Sequence, residues 1–156
     1  MTMKMLFVCT GNACRSAAAE AVMKKMLADN GMMDIEVSSC GTRVPEGLDR
    51  EEVMCNIAAE RGYVMGGKAR RMNVDLLDAA DIIIVMTDNH RNEVTRLLSY
   101  SHWPRIVRFN DYCFGVLSDL ADPHYQAEHV YRSCFDTIER GCDVIIKKIR
   151  NEKRRT

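Results

Sequence analysis

An uninterrupted apolar run of five residues, Ile82-Ile83-Ile84-Val85-Met86, lies near the middle of the chain. Four of its five residues are β-branched, which favours a strand over a helix. The run shows no alternation of polar and apolar residues, which is typical of a strand covered on both faces in a parallel sheet. It is also far too short to cross a bilayer. The run therefore predicts the buried centre of an α/β sheet.

Strand-like and helix-like segments alternate along the rest of the chain. The expected strands cover residues 4–9, 34–39, 82–86 and 105–109, and the expected helices cover 16–29, 49–62, 75–80, 87–99 and 130–149. The second helix is expected to begin at Asp49 with a capping box that Glu52 completes. This alternation predicts a single α/β domain over residues 1–156, with three layers: a four-stranded, mainly parallel sheet and helices on both faces. The basic end at 150–156 is expected to fray.

Charge balance and cysteine usage narrow the classes of partner and compartment. Lysine plus arginine and aspartate plus glutamate number 22 each, so no global field attracts nucleic acid or a membrane surface. The seven cysteines are odd in number, and their spacing fits neither a disulfide framework nor a zinc site. The N-terminal apolar stretch lacks the cleavage site of a signal peptide. We therefore expect a cytoplasmic protein with no metal and no cofactor.

The segment with the clearest chemical meaning is the turn between the first strand and the first helix, Cys9-Thr10-Gly11-Asn12-Ala13-Cys14-Arg15-Ser16. Backbone N–H groups in such a turn, together with those of the helix start, form a cradle for an anion. Gly11 lets the turn curl tightly, and Asn12 belongs to the few residue types tolerated in a left-handed conformation. The turn therefore predicts a phosphate-binding loop made by Thr10, Gly11, Asn12, Ala13, Cys14, Arg15 and Ser16.

Three side chains give this loop a catalytic character. Cys9 lies at the base of a positive field that favours the thiolate, which is the nucleophilic form of cysteine. The planar guanidinium of Arg15 can bind two phosphoryl oxygens at once and stays charged. Ser16 can donate a hydrogen bond to the sulfur and stabilise it as a thiolate and as a leaving group. Amides and guanidinium together neutralise a phosphate without a metal ion.

Cysteine, five residues, arginine and serine form the phosphate-binding signature of cysteine-dependent phosphatases. Its N-terminal position, with Gly-Asn and a second cysteine inside it, resembles the low-molecular-weight protein-tyrosine phosphatase family, whose pattern is Cys-x-Gly-Asn-x-Cys-Arg-Ser. All six fixed positions match in this chain. The resemblance implies the fold of the family, phosphotyrosine hydrolysis through a cysteinyl-phosphate intermediate, and a reversible Cys9–Cys14 disulfide that protects the nucleophile from overoxidation.

The resemblance continues in an Asp-Pro pair before the last helix, Asp122-Pro123. It implies that Asp122 is the general acid, which protonates the leaving oxygen and then activates the hydrolytic water. Pro123 would hold that loop stiffly because its φ is fixed. The segment Ser39-Cys40-Gly41-Thr42 is similar to the family's Ser-Ala-Gly-Thr, in which the serine supports the asparagine of the phosphate loop.

The expected substrate slot departs from the family pattern. His124 and Tyr125 stand where many members have two tyrosines, and they are the expected walls of the slot. The tryptophan that often forms another wall is missing between Arg43 and Asp49. His90, early in a helix, is expected at the surface.

Phosphotyrosine in a protein is the expected substrate, because a loop at the floor of a slot favours a long aryl phosphate. With threonine at position 10 the chain resembles the bacterial protein-arginine phosphatases of this fold, which makes phosphoarginine an alternative substrate. Those enzymes, however, have threonine where this chain has Ala13. Arsenate reduction is less favoured because residues 82–98 contain no cysteine relay. Retention of all three catalytic residues argues against a silent phosphate-binding module. The expected partners are a phosphorylated protein and a phosphate or sulfate ion in the loop, and the expected state is a monomer or weak dimer.

Overall fold

The core of the fold is an open sheet of four strands that all run parallel. The computed structural model describes residues 2–155. The strands are β1 (Met3–Cys9), β2 (Ile35–Gly41), β3 (Ile82–Val85) and β4 (Ile106–Arg108). Their order in the sheet is β2-β1-β3-β4, so β1 and β3 are central and both are buried. The predicted α/β class is confirmed, and the sheet is fully parallel rather than mainly so.

Six α-helices connect and follow these strands within residues 2–155. They are α1 (Arg15–Asp29), α2 (Glu52–Glu60), α3 (Val74–Ala79), α4 (Asp88–Thr95), α5 (Phe109–Phe114) and α6 (Glu128–Arg155), and a short 3-10 helix covers Tyr100–Arg105. Helix α6 packs on α1, α2 and α5, and α1 packs on β2. The predicted three layers follow, because a second and smaller apolar cluster lies on the opposite face, where Leu77 of α3 and Val94 of α4 cover Leu6 and Ile83.

The helices depart from the sequence prediction at several places. The capping box at Asp49 is wrong: α2 begins at Glu52, its cap is Glu51, and the Asp49 carboxylate pairs with Lys68 instead. Helix α4 ends at Thr95 rather than near residue 99. The short helices around β4 were not predicted, because a run of six residues carries too little periodicity to separate a helix from a strand end.

The basic end of α6 is helical through Arg155, whereas the sequence predicted fraying from residue 150. Two contacts hold this end against the loop that precedes β2. The Lys153 ammonium lies 2.8 Å from a carboxylate oxygen of Asp34, and the Arg150 guanidinium donates to the side chain of Asn30. These partners lie more than a hundred residues away in the chain, so local sequence gives no sign of them. None of the helices between residues 2 and 155 is long and apolar enough to span a membrane.

Candidate active site

The phosphate loop predicted from the sequence lies at the carboxyl edge of the sheet. Strand β1 ends at Cys9 and α1 begins at Arg15, so the loop fills the turn between them. The chain leaves β1 toward β2 on one side, while β3 pairs with β1 on the other. Such a switch point opens a crevice beyond the strand ends, which is where open α/β sheets bind ligands.

Cys9 lies at the floor of a cavity of about 400 Å³. The residue is only 2% exposed, and its sulfur lies 2.9 Å from the Ser16 hydroxyl at the start of α1. Ser16 is fully buried, so this contact is shielded from water. Cys9 is thus an almost fully buried residue in the lining of this cavity.

The Asn12 side chain holds the loop in shape. Its φ is 50°, the left-handed conformation expected for this asparagine. Its amide nitrogen donates to Ser16 at 2.9 Å and to Ser39 at 2.8 Å, and its amide oxygen accepts from the backbone N–H of Arg70 at 2.8 Å. The Ser39 hydroxyl in turn donates a hydrogen bond to the Glu20 carboxylate at 2.5 Å. The hydrogen bond between Asn12 and Ser39 is the contact through which Ser39 would support the loop. The described residues give no steric reason for glycine at position 11, since a Cβ there would have nothing within 4 Å.

The arginine of the loop and the aspartate near the last helix meet at the cavity. Arg15 is 3% exposed, donates to the backbone oxygen of Leu120 at 2.8 Å, and lies 3.6 Å from a carboxylate oxygen of Asp122. The Leu120 N–H in turn donates to the Met86 oxygen just beyond β3. The loop that carries Asp122 is thus tied both to the phosphate loop and to the sheet.

The cavity wall is more acidic and less aromatic than predicted. His124 lines the cavity, but Tyr125 does not: it is 92% exposed and packs against the His124 ring at 3.7 Å between centroids. Pro123, between Asp122 and His124, is buried. The full lining consists of Cys9, Thr10, Gly11, Ala13, Cys14, Arg15, Asp49, Glu51, Asp122 and His124.

Two of these wall residues were missed by the sequence prediction. Glu51 accepts a hydrogen bond from Tyr131 of α6 and lies 3.4 Å from the His124 ring nitrogen, so it links the His124 side of the cavity to α6. Asp49 lies beside it at the rim. Both were interpreted as parts of a helix start, and nothing in their local sequence separates a cap from a cavity wall. No cluster of three or more metal-ligating side chains occurs in the part of the chain that the structure describes.

Comparison with known proteins places this site in a family. The model of the low molecular weight phosphotyrosine protein phosphatase family matches residues 4–155. The chain belongs to this family. The resemblance inferred from the loop and from Asp122-Pro123 is therefore confirmed over almost the whole chain.

Curated relatives within the family differ in the substrate that they are named for. The low molecular weight protein-tyrosine-phosphatase YfkJ of Bacillus subtilis is 30% identical over 152 residues, which is 95% of this chain and 96% of that protein. A protein-arginine-phosphatase of Geobacillus stearothermophilus is 26% identical over 153 residues, covering 98% of this chain and all of that one.

Solved structures of the family share the whole fold. A protein tyrosine phosphatase of Entamoeba histolytica, crystallised with Hepes in its active site, superposes with a TM-score of 0.90 at 30% identity and covers 97% of this chain and 99% of its own. The parallel sheet and its helices are therefore the fold of this family.

The structure corrects the predicted exposure of His90. It was expected at the surface, yet it is 2% exposed and its Nε2 lies 2.8 Å from the Thr10 hydroxyl. The reason is that α4 starts directly after β3, whose carboxyl end abuts the phosphate loop. A residue in the first turn of α4 can therefore reach into the site from behind.

Cys14 is buried in the same loop as Cys9, the predicted nucleophile. Burial raises the pKa of its thiol strongly, and the neighbouring Cys134 and Glu51 act in the same direction. Cys14 therefore stays a neutral thiol at neutral pH, unsuited to attack phosphorus. All seven cysteines are free, and the Cys9–Cys14 disulfide implied by the family stays a prediction.

Arg50 also holds the phosphate loop, and no sequence motif marked it. Its guanidinium donates to the Asn12 side-chain oxygen at 2.7 Å and to the Asn12 backbone oxygen. We expect Arg50→Met to lower kcat/KM roughly tenfold and the free energy of unfolding by about 1–3 kcal/mol, because the buried Asn12 acceptors lose a charged donor. Steady-state kinetics and urea unfolding measure both. Arg70→Met is the matched control, since Arg70 binds Asn12 through its backbone, and an equal loss there would contradict this role.

Gly41 gives the loop room at the end of β2. A Cβ at this position would lie 2.5 Å from the Thr10 oxygen, 2.9 Å from the Asn12 nitrogen and 2.8 Å from the Val44 side chain. Gly41→Ala must therefore push the phosphate loop, and displacement of about 1 Å can cost roughly 100-fold in rate. We expect that loss in kcat/KM for Gly41→Ala. Gly66→Ala, with nothing within 4 Å of its added Cβ, should keep wild-type kinetics. Comparable rates for both variants would refute this reading.

Proposed function

We propose that this protein hydrolyses phosphotyrosine in phosphorylated proteins through a cysteinyl-phosphate intermediate. The observation that carries the proposal is the meeting of Cys9, Arg15 and Asp122 at one cavity, although Asp122 lies more than a hundred residues from the other two. A nucleophile, a cationic oxygen clamp and a carboxyl group at one site are the parts that phosphoryl transfer needs.

The first half of the proposed reaction transfers the phosphoryl group to sulfur. The Cys9 thiolate attacks phosphorus in line with the tyrosyl oxygen, and an S–P bond forms as the P–O bond breaks. Arg15 and the loop N–H groups bind the remaining phosphoryl oxygens and stabilise their charge. Asp122 gives its proton to the leaving phenolate oxygen, which would otherwise leave poorly.

The second half releases phosphate. A water molecule takes the place of the leaving group, and the Asp122 carboxylate accepts its proton as the oxygen attacks phosphorus. The S–P bond breaks and the sulfur departs as a thiolate. The Ser16 hydroxyl, 2.9 Å away, stabilises that thiolate by donating a hydrogen bond to it.

Depth of the site favours an aryl phosphate. Cys9 is 2% exposed at the floor of the cavity, so the phosphate must be carried on a group long enough to reach it. A phosphotyrosine ring provides that length and phosphoserine does not. The likeness to YfkJ, named a protein-tyrosine-phosphatase, supports the same substrate.

A specific observation supports phosphoarginine as the second candidate. The carboxylates of Asp49 and Glu51 line the cavity, and the imidazole of His124 is the only ring in its described lining. Carboxylates suit the N–H groups of a guanidinium better than the faces of a phenyl ring. The relative from Geobacillus stearothermophilus is named a protein-arginine-phosphatase.

Hydrolysis of matched peptides decides between these substrates. Phosphotyrosine, phosphoarginine and phosphoserine peptides are compared by kcat/KM in the wild type and in Glu51→Gln. We expect the highest value for phosphotyrosine, with Glu51→Gln leaving it within about threefold. A higher value for phosphoarginine that falls selectively in Glu51→Gln would replace the first proposal by the second.

The remaining partner expectations belong to the same proposal. We infer that inorganic phosphate or sulfate binds in the loop as product or product analogue, and that the protein acts on phosphoproteins in the cytoplasm as a monomer or weak dimer. The equal numbers of acidic and basic residues, 22 each, give no electrostatic reason to add nucleic acid to these partners.

A further inference from the structure

His90 contacts the phosphate loop from behind and has no role in the mechanism above. It stands in the first turn of α4, where its backbone N–H donates to the capping hydroxyl of Thr87 at 3.2 Å. This fixes the helix start, so the imidazole faces the loop. Its Nε2 lies 2.8 Å from the hydroxyl of Thr10, the residue directly after the nucleophile.

The imidazole of His90 is neutral at working pH. Burial lowers its pKa to about 4, and the positive charge of Arg15 acts in the same direction. A neutral imidazole has one N–H and one bare nitrogen, so it donates at one position and accepts at the other.

The surroundings of the second ring nitrogen select the tautomer. Nδ1 of His90 is buried and has no hydrogen-bond partner among the residues that the structure describes. A buried N–H without an acceptor is a rarer defect in proteins than an acceptor that stays under-satisfied. The proton therefore belongs on Nε2, and His90 donates to the oxygen of Thr10.

That donation determines what Thr10 offers to the substrate. A hydroxyl has one proton, and an oxygen that accepts from His90 keeps this proton free for another acceptor. Thr10 lines the same cavity as Cys9, and the acceptors that a phosphorylated substrate brings into this cavity are phosphoryl oxygens. We propose that His90 is a positioning residue that commits the Thr10 hydroxyl to donate a hydrogen bond to the bound phosphoryl group.

This inference rests on the proposed phosphatase function and adds a side-chain donor to the loop N–H groups and Arg15. It also separates His90 from a general acid or base: the imidazole touches no reacting atom and keeps its proton throughout. The effect of His90 must therefore pass through the Thr10 oxygen, which makes the two residues testable as a pair.

A double-mutant cycle on a phosphotyrosine peptide tests the pair. We expect Thr10→Val and His90→Leu each to lower kcat/KM about tenfold, as for loss of one hydrogen bond to a charged group. The double variant should lose no more than either single one, because both remove the same donor. Thr10→Ser and His90→Gln, which keep a hydroxyl and a donor, should restore most of the activity. His129→Leu, an exposed histidine on α6, is the matched control and should match the wild type.

Two readouts distinguish positioning from a merely structural role. The ¹⁵N spectrum of the His90 ring should show the proton on Nε2, and inorganic phosphate should bind about tenfold more weakly to His90→Leu than to the wild type. Losses that multiply in the double variant, a proton on Nδ1, or unchanged phosphate affinity would each overturn the inference. Phosphate binding needs no turnover, so the affinity measurement tests the role of His90 independently of the proposed reaction. A wild type that does not hydrolyse phosphotyrosine would instead overturn the proposed function.

Discussion

Cys9→Ser should abolish hydrolysis of every phosphorylated substrate, with kcat falling by at least about 10⁴-fold, the scale seen when a catalytic nucleophile is removed. A serine hydroxyl is a far poorer nucleophile than a thiolate. The side chain that hydrogen-bonds to the sulfur among the described residues is the Ser16 hydroxyl, which is not a base. The phosphate loop itself should keep its shape, since serine is close to cysteine in size. Affinity for inorganic phosphate should therefore change little.

The measurement pairs single-turnover hydrolysis with phosphate titration in the wild type and in Cys9→Ser. Cys55→Ser is the matched control, because Cys55 is a free, half-buried thiol on α2 outside the cavity lining. It should keep wild-type kcat. Hydrolysis surviving in Cys9→Ser within tenfold of the wild type would show that another group attacks phosphorus.

Asp122→Asn should lower kcat by about 10²–10⁴-fold on substrates with a poor leaving group, the usual range for a lost general acid. The carboxyl group lies 3.6 Å from Arg15 and borders the cavity, where it can reach a leaving oxygen. An asparagine of the same size cannot supply that proton. The loss should shrink as the leaving group becomes a more stable anion, because such a group departs without protonation.

A series of aryl phosphates, from phenyl phosphate to p-nitrophenyl phosphate, measures this dependence in the wild type and in Asp122→Asn. Asp119→Asn is the matched control in the same loop, because the Asp119 carboxylate pairs with Arg108 at 2.9 Å and does not line the cavity. It should show no selective loss with poor leaving groups. A uniform loss across the series in Asp122→Asn would assign this carboxylate to binding rather than to proton transfer.

The loop that is proposed to bind phosphate could be predicted because its residues are contiguous. The residue types from Cys9 to Ser16 indicate a phosphate-binding loop with a nucleophile. The strand before this segment and the helix after it predict an anion cradle at the edge of the sheet. The strand at 82–86 could be predicted as well, since a short, uninterrupted β-branched run is typical of a buried parallel strand. Asp122 needed the family pattern, because an Asp-Pro pair alone is a common turn.

The residues that hold or shape the site could not be predicted in the same way. Arg50 and Glu51 reach the site from the segment before α2, and His90 reaches it from α4. Each contact depends on how those segments pack rather than on local periodicity. His90 shows the difficulty best: polar neighbours on a short helix favour exposure, yet the helix starts against the loop and buries that face. Tyr125 shows the reverse, since its motif position favoured the slot and its left-handed backbone, at φ 62°, leaves it outside.

The most direct test of the account is to look for the covalent intermediate on Cys9. Asp122→Asn, slowed in releasing the phosphoryl group to water, is mixed with p-nitrophenyl phosphate, quenched in acid within milliseconds, digested and analysed by mass spectrometry. The account predicts a phosphoryl group on the peptide that contains Cys9, forming with the burst of nitrophenol and absent in Cys9→Ser. A burst with no adduct on Cys9, or an adduct on another residue such as His90 or Cys14, would contradict it.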